Sequence, residues 1–403
     1  LTGDSTQLQA SYNVQELIRR TFGQVPGGMF GADENARIGY IDPRQGVETC
    51  GIVEQMASDE IMLCLTGDPM WADHCEDVAF NTFPAAVTPD FRALRYITSP
   101  NHVVSDSKNH HPGIDNSGPF LSMNPFSSRC CQHNHAQGWP YYAEHLVLAT
   151  TDGGVATALY AACQATVKVG NGKEIRLHEQ TNYPFEEAVS FTVESGEDVN
   201  FPFYLRIPAW ADGATVKVNG KNVSVKAEAG KYVRLERIWK NGDKISLNFP
   251  MELSMRTWQA NRNSVSVNYG PLSLKIKERY ERKDSRATAI GDSKWQKGAD
   301  ASAWPTYEIY PDSPWNYALV LDKKSPLKGL KVVRKTISAD KFPFTLENVP
   351  LEVKAVGRRI PSWKIDEYDL CGVLPPENAY KGEEEEITLV PMGAARLRIS
   401  AFP

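Results

Sequence analysis

The sequence predicts a multidomain protein of mixed class, with a helical N-terminal part followed by two all-β parts. Apolar residues recur at helical spacing up to about residue 150 and at strand spacing beyond it. Gly, Asn and Asp turns punctuate the second half regularly. A length of 403 residues, 41% of them hydrophobic and 23% charged, supplies cores for two or three domains. The expected divisions are 1–150, 151–262 and 263–403.

The stretch "TGDPMWADHCEDVAFNTFPAAV" shows the helical part best. Gly67 is placed to end a helix holding residues 61–65, Asp68 to cap the next, and Pro69 to sit in its first turn. Trp71, Cys75, Val78 and Ala79 then share one face, so the two helices form a hairpin. Cys64 and Cys75 lie among apolar neighbours and read as core thiols. From 84 to 128 the chain becomes irregular, and so long an irregular passage in a compact domain is more often functional than idle.

After "YYAEHLVLATTDGG" the period shortens to two. "GVATALYAACQATVKV", "AVSFTVES", "NFPFYLRIPAW", "ATVKVNGKNVSV", "KYVRLERIW" and "DKISLNFP" are short alternating runs that read as a β-sandwich, with Asn219-Gly220 turning a hairpin. From "SVSVNYGPLSLKI" a second β region runs on, interrupted by a polar stretch at 277–304. The acidic run 383–386 reads as a solvated approach to the strand "ITLVP".

A formal charge of −5 leaves no basic footprint for nucleic acid, and no apolar stretch is long enough to span a bilayer. Aromatic content of 10% suits stacking on sugars and large cores alike. Seven cysteines, an odd number without a disulfide framework's spacing, are expected to be mostly free.

The chemistry concentrates in "SSRCCQHNHAQGWPYY" and "VETCG". Zinc ligands must lose a proton and converge at about 2.0–2.3 Å, which thiolates and carboxylates do. Glu48 and Cys50, two apart, point to one side of an extended segment, and Cys130 and Cys131 add two sulfurs that a bent loop can turn toward one metal. The alternative is a buried cysteine pair unrelated to Glu48, since the spacing matches no standard zinc finger or knuckle.

"GGMFGADEN", "ETC", "CCQHN" and "HLVLATTDGGVATALY", followed by "LRIPAWA", "VNGK", "RIWKNGDKISLNFPM", "NYGPL" and "ITLVPMGAARLRISAFP", resemble glycoside hydrolase family 127, the β-L-arabinofuranosidase-like proteins, over most of the chain. The resemblance implies the C-terminal part of an (α/α)6 barrel followed by two β-sandwich domains. It also implies Zn2+ held by Glu48, Cys50, Cys130 and Cys131, with Cys130 as nucleophile of a retaining exo-glycosidase and Glu34 as general acid/base. Asp33 is the fallback for that last role, because the step from Glu34 to Glu48 is shorter than the family's usual one. A thiolate nucleophile departs from the usual pair of carboxylates, and zinc supplies it by deprotonating a thiol of ordinary pKa about 8.5.

Departures from the family surround the pocket. Gln132 and His133 stand where two prolines are common, Gln137 where an arginine often follows, and Ser122 where a tyrosine is usual. The sugar is therefore either a plain β-L-arabinofuranoside or a relative such as the acidic aceric acid of the pectin rhamnogalacturonan-II. Candidate contacts to it are His133, Asn134 and His111, with His110 and His135 as further donors, while His74 and His145 line either a barrel interior or a core. Twelve helices of about 10–14 residues do not fit into 150 residues, so the remaining barrel half is expected from a preceding portion of a longer protein. The alternative function is a non-catalytic carbohydrate-binding protein with a structural zinc. Family context favours a periplasmic or secreted bacterial setting, and reduced thiols a cytoplasmic one.

Overall fold

The computed structural model describes residues 3–31, 33–36, 42–111, 122–123, 130–277, 279–284, 303–304, 307–338, 340–376, 378–397 and 399–403. Much of the irregular passage expected at 84–128 therefore lies outside the described residues. The molecule is multidomain and mostly β, with four α-helices among the described residues.

Helix α1 (Ser5–Thr21) is capped by Asp4, whose side chain accepts from Thr6 N at 2.8 Å. Helices α2 (Thr49–Thr66) and α3 (Pro69–Asn81) form the expected hairpin. Gly67 ends α2 in the left-handed conformation at φ 68°, and Asp68 caps α3 by accepting from Met70 N at 3.0 Å. Trp71, Cys75, Val78 and Ala79 are all buried. Cys64 corrects the sequence expectation: it is exposed, beside exposed Ile61 and Leu65 on the outer side of α2. Helix α4 (Cys130–Glu144) lies along α2.

Two sheets follow. One runs in the order Lys231–Trp239, Val199–Ile207, Val155–Thr157, Val147–Ala149, and the other in the order Lys221–Asn222, Thr215–Val218, Lys244–Asn248, Ala188–Ser195, Lys173–Thr181, Cys163–Val169. They stack as a sandwich, Phe191 of the second meeting Phe203 of the first edge-on at 5.7 Å beside buried Trp239. The hairpin turn is at Asn219-Gly220, both at positive φ (50° and 78°), with Val218 opposite Lys221. Strand Lys173–Thr181 is hard to see in the sequence because only Ile175 and Leu177 supply apolar inward positions; the third, Glu179, is a buried carboxyl.

The last region centres on a seven-stranded sheet. Its strand Glu384–Pro391 begins earlier than expected: Glu384, Glu385 and Glu386 are not an approach segment but pair with Arg358, Gly357 and Val356. Cross-strand partners explain why the acids are tolerated, with Arg358 at 2.8 Å from Glu384 and Tyr317 Oη donating to Glu385 at 2.9 Å. A further four-stranded sheet joins distant parts of the chain. Tyr280–Asp284 and Tyr307–Pro311 pair onward with Ser122–Met123 and Leu94–Arg95.

Helix α3 is the hub. Arg206, buried on the sandwich, forms ion pairs with Asp73 and Glu76 and donates to the Ala158 carbonyl, while Tyr183 Oη donates to Glu76 at 2.6 Å. On the other side Arg256 pairs with Asp77 at 2.7 Å, and Asn81 holds Ser273 N and the Pro271 carbonyl at 2.7 and 3.0 Å. Removing one partner of a buried pair leaves the other charge stranded at a cost of about 3–5 kcal/mol. Arg206→Ala is thus expected to lower stability by that amount in denaturant unfolding, more than Arg206→Ala with Glu76→Gln together, which leaves only the partly exposed Asp73 without its cation.

Candidate metal centre

Strand β1 (Val47–Glu48) pairs antiparallel with strand Ile97–Thr98, setting Glu48 opposite Ile97. The chain then turns directly into α2, so Glu48 occupies the N-cap position and Cys50 the first turn. The Glu48 carboxylate makes no capping hydrogen bond and is free to turn toward α4. There Cys130 and Cys131 are the first two helical residues. Cys50 Sγ lies 3.2 Å from Cys130 Sγ and 3.3 Å from Cys131 Sγ, and Glu48 Oε1 lies 3.5 and 3.7 Å from the same two sulfurs.

The four donors converge, though not by the local geometry read from the sequence. Glu48 and Cys50 do not share one side of an extended segment, and the thiol pair is not in a bent loop: all four lie at helix starts. Neighbouring residues of a first turn can reach a common point off the helix end, which they cannot do beside a helix. Each helix start also carries the positive end of its dipole, which favours anionic thiolates.

Cys131 is fully buried, Cys50 nearly so, and Cys130 faces solvent. An apolar wall of Val87, Leu94, Tyr96, Ile97 and Leu370 backs them. Burial, together with the hydrogen bond to Cys50, pushes the Cys130 thiol up to about 11, and the hydrogen bond with Cys131 and burial raise that of Cys50 further. By themselves these groups are thiols at neutral pH, and a cation is needed to make them thiolates. The donor set fits one: a tetrahedron with metal–sulfur bonds of about 2.3 Å has edges of about 3.8 Å, close to the 3.2–3.7 Å seen here, and all four donor atoms lie within 4.8 Å of one another.

Glu34 is exposed, at φ 79°, and accepts a hydrogen bond from Tyr96 Oη. Buried Tyr96 also accepts from Thr49 N at 2.9 Å through its carbonyl, which lies 3.9 Å from Cys131 Sγ. One residue therefore links the candidate acid to the thiols. Nothing in "RALRYITSP" marks Tyr96 for this, because Glu34 is 62 residues before it and Cys131 is 35 after it in the chain. Asp33 is fully buried.

The histidines divide. His133 is exposed and Asn134 half-buried on α4, three and four residues beyond Cys130 and so above it on the same side of the helix. His111 is exposed, its N–H bound to Asn109 Oδ1 at 2.8 Å. His110 is buried, with Nε2 3.0 Å from Asp106 and Nδ1 2.6 Å from the Tyr368 carbonyl, which makes it a tie between segments. His135 stacks on Phe83 at 4.5 Å, and burial pushes its pKa down to about 4, so it supplies no cation. His74 contacts Asp59 at 2.8 Å and His145 contacts Glu60 at 3.6 Å, within the packed helices.

Residues 1–144 match the family profile described as β-L-arabinofuranosidase, GH127 catalytic domain, and residues 154–251 that of the GH127 middle domain, together more than half of the chain. The chain belongs to glycoside hydrolase family 127. Three solved structures share its fold. A glycoside hydrolase has a TM-score of 0.64 and 21% identity, covering 91% of this chain and 53% of its own. A GH127 β-L-arabinofuranosidase from Geobacillus stearothermophilus T6 has a TM-score of 0.61 and 20% identity, covering 89% and 49%. A GH127 β-arabinofuranosidase has a TM-score of 0.64 and 19% identity, covering 91% and 51%. This chain thus spans about half the length of each. A search of curated proteins finds no match.

Two predictions follow from the way the family's helical part is packed here. A Cβ on Gly138 would meet the Phe83 ring at 2.4–3.0 Å, so Gly138→Ala is expected to push α4 off Phe83. The cost is about 1–3 kcal/mol, with faster metal loss to a chelator as the α4 N-terminus shifts. For His110, burial opposes the charged form, but the bonds to Asp106 and the Tyr368 carbonyl outweigh it and raise the pKa; Asp369 and Lys108 are the other nearby charges. Its stabilisation is then complete below the ordinary value of about 6.5 and is lost as pH rises through the raised folded value. The Tm difference between wild type and His110→Asn should accordingly be largest in mildly acidic buffer and shrink in alkaline buffer.

Proposed function

We propose that the longer protein containing this chain is a retaining exo-glycosidase. It releases a terminal L-sugar, β-L-arabinofuranose or aceric acid, from pectic side chains of plant cell walls. Glu48, Cys50, Cys130 and Cys131 hold zinc, Cys130 is the nucleophile and Glu34 the general acid/base. The observation that carries this reading is the asymmetry of the cluster: of three neighbouring cysteines only Cys130 is exposed, while Tyr96, packed with the buried two, donates to Glu34.

Bound zinc supplies the positive charge that keeps the thiols deprotonated at neutral pH. The Cys130 sulfur forms a bond to the anomeric carbon as the bond from that carbon to the leaving oxygen breaks, and Glu34 donates its proton to that oxygen. Glu34, now a carboxylate, takes a proton from the water that displaces Cys130, and two displacements leave the anomeric configuration retained. Glu48 and the buried Cys50 and Cys131 hold their places throughout. His133 and Asn134, one turn beyond Cys130, and His111 are the proposed sugar contacts.

The same proposal takes 1–150 as the later part of an (α/α)6 barrel completed by a preceding segment, with 151–262 and 263–403 as β-sandwich domains. Exposed Leu8, Val14 and Leu17 on α1, and exposed Ile61 and Leu65 on α2, are apolar positions that further helices could cover, which supports this part of the proposal.

Elemental analysis of the full-length protein is expected to give one zinc per chain. Hydrolysis of an aryl β-L-arabinofuranoside, or of aceric-acid-containing pectin fragments, should fall to background in Cys130→Ser and by about 10²–10⁴-fold in Glu34→Gln. Zinc-free protein with undiminished turnover, or a Cys130→Ser enzyme at the wild-type rate, would sink the assignment. Zinc and glycan affinity with no turnover would leave the carbohydrate-binding reading.

A further inference from the structure

A cavity of about 430 Å³ lies where the helical part, the sandwich and the seven-stranded sheet meet. Its floor is one face of the strand pair Leu253–Trp258 and Ser264–Tyr269, where Ser254 stands opposite Asn268 and Arg256 follows two residues on. Strand alternation puts these three polar side chains on a common side. That side faces α3, because Arg256 reaches Asp77 at 2.7 Å. Met70, Asp73 and Asp77, spaced three and four apart on the helix, form the α3 wall. Ala209 and Trp210, just past the sandwich strand Val199–Ile207, form another. No lining residue is a donor of the metal centre or part of the apolar wall behind it.

A polar floor turned inward needs a partner for every group, and one group here has none. Asn268 is 5% exposed, and its Oδ1 accepts from Arg256 Nη2 at 3.1 Å and from Ser273 Oγ at 2.9 Å. Its Nδ2 has no hydrogen-bond partner among the described residues, which leaves two donors to the cavity. Ser254, across from it, adds an exposed hydroxyl. The acceptors are Asp73 and Asp77, each already paired with a guanidinium: Asp73 with Arg206, and Asp77 with Arg256. Carboxylate oxygens take more than one hydrogen bond, so capacity for hydroxyls remains although the charges are matched. Trp210 contributes a half-buried ring, held near-parallel to Tyr183 at 14° with 6.4 Å between centroids. Small-molecule sites enclose about 300–1,000 Å³, commonly at domain junctions, with a few fixed polar groups among apolar ones. The ligand that suits this one is neutral and polyhydroxylated. Its C–H surface lies on the indole and its hydroxyls meet Asn268 and the carboxylates, whereas an ion finds each charge already paired.

We propose that this cavity is a second saccharide site, taking a neutral sugar unit between Trp210, Asn268 and the α3 carboxylates. It binds and does not cleave, so zinc and Cys130 play no part in it. The site therefore stands or falls separately from the glycosidase reading.

The test titrates a neutral L-arabinofuranosyl trisaccharide into the full-length protein by calorimetry, with the acidic trisaccharide of galacturonic acid as comparison. A Cys130→Ser background keeps the sugar from being consumed. Asn268→Asp retains the acceptor that holds Arg256 and Ser273 but removes the donors, and Ser254→Tyr fills the cavity from an exposed position outside the ion pairs of α3. Each should weaken a binding component for the neutral trisaccharide by about two- to tenfold, the range of one hydrogen bond. The acidic trisaccharide should bind more weakly than the neutral one. In the presence of Cys130, Ser254→Tyr should leave zinc content and hydrolysis of methyl β-L-arabinofuranoside at wild-type values. No binding, binding that neither variant alters, or equal binding of the two trisaccharides overturns the site. Variant-sensitive binding in a protein that hydrolyses nothing supports the site while sinking the glycosidase reading, and turnover with variant-insensitive binding does the reverse.

Discussion

A guanidinium with no exposure sits between Glu76 and Asp73, and taking three charges out of water is tolerated only because each finds partners: two carboxylates, a carbonyl, and a tyrosine hydroxyl on Glu76. Arg206 belongs to the sandwich and both acids to α3, so the helix cannot rotate or slide without stranding a charge. Arg256 and Asn81 hold the other side of α3 to the seven-stranded sheet. Fixed from both sides, α3 fixes α2 through their shared turn, and α2 carries Glu48 and Cys50 at its start. The candidate metal centre thus inherits its precision from β regions that contribute none of its four donor residues.

The centre itself follows from where helices begin. Had Cys130 and Cys131 fallen in mid-helix, their sulfurs would diverge by the roughly 100° that separates consecutive residues. At the first turn both can aim off the end, where a second helix start meets them. The positive dipole ends of the two helices add to the preference for thiolate there.

Legibility in the sequence followed the range of the interaction concerned. The α2–α3 hairpin was readable because Gly67, Asp68 and Pro69 act within one turn, and the Asn219-Gly220 hairpin because its two residues alone set the positive φ values. The four candidate ligands could be grouped by chemical type and family resemblance, yet their helical setting could not, since "VETCG" fits a strand end as well as a helix start. Cys64 looked like core because its neighbours are apolar, but apolar pattern does not distinguish a face covered within the chain from one left open. Glu384–Glu386 looked like loop because their compensation, Arg358 and Tyr317, lies on other strands. Tyr96 gave no local sign, its importance arising only from residues tens of positions away.

The four-stranded sheet that pairs Leu94–Arg95 and Ser122–Met123 with Tyr280–Asp284 and Tyr307–Pro311 bears on how the molecule comes into being. During synthesis the strand Leu94–Arg95 meets its direct partner Ser122–Met123 early, but that partner's outer neighbour Tyr307–Pro311 and the wall residue Leu370 emerge far later in the chain, so the wall behind the cysteines is among the last features to form. The sandwich, whose strands are neighbours in sequence, has no such delay. The middle of the chain can therefore fold before that wall does, and the thiols of Cys50 and Cys131 spend the interval without the apolar residues that bury them.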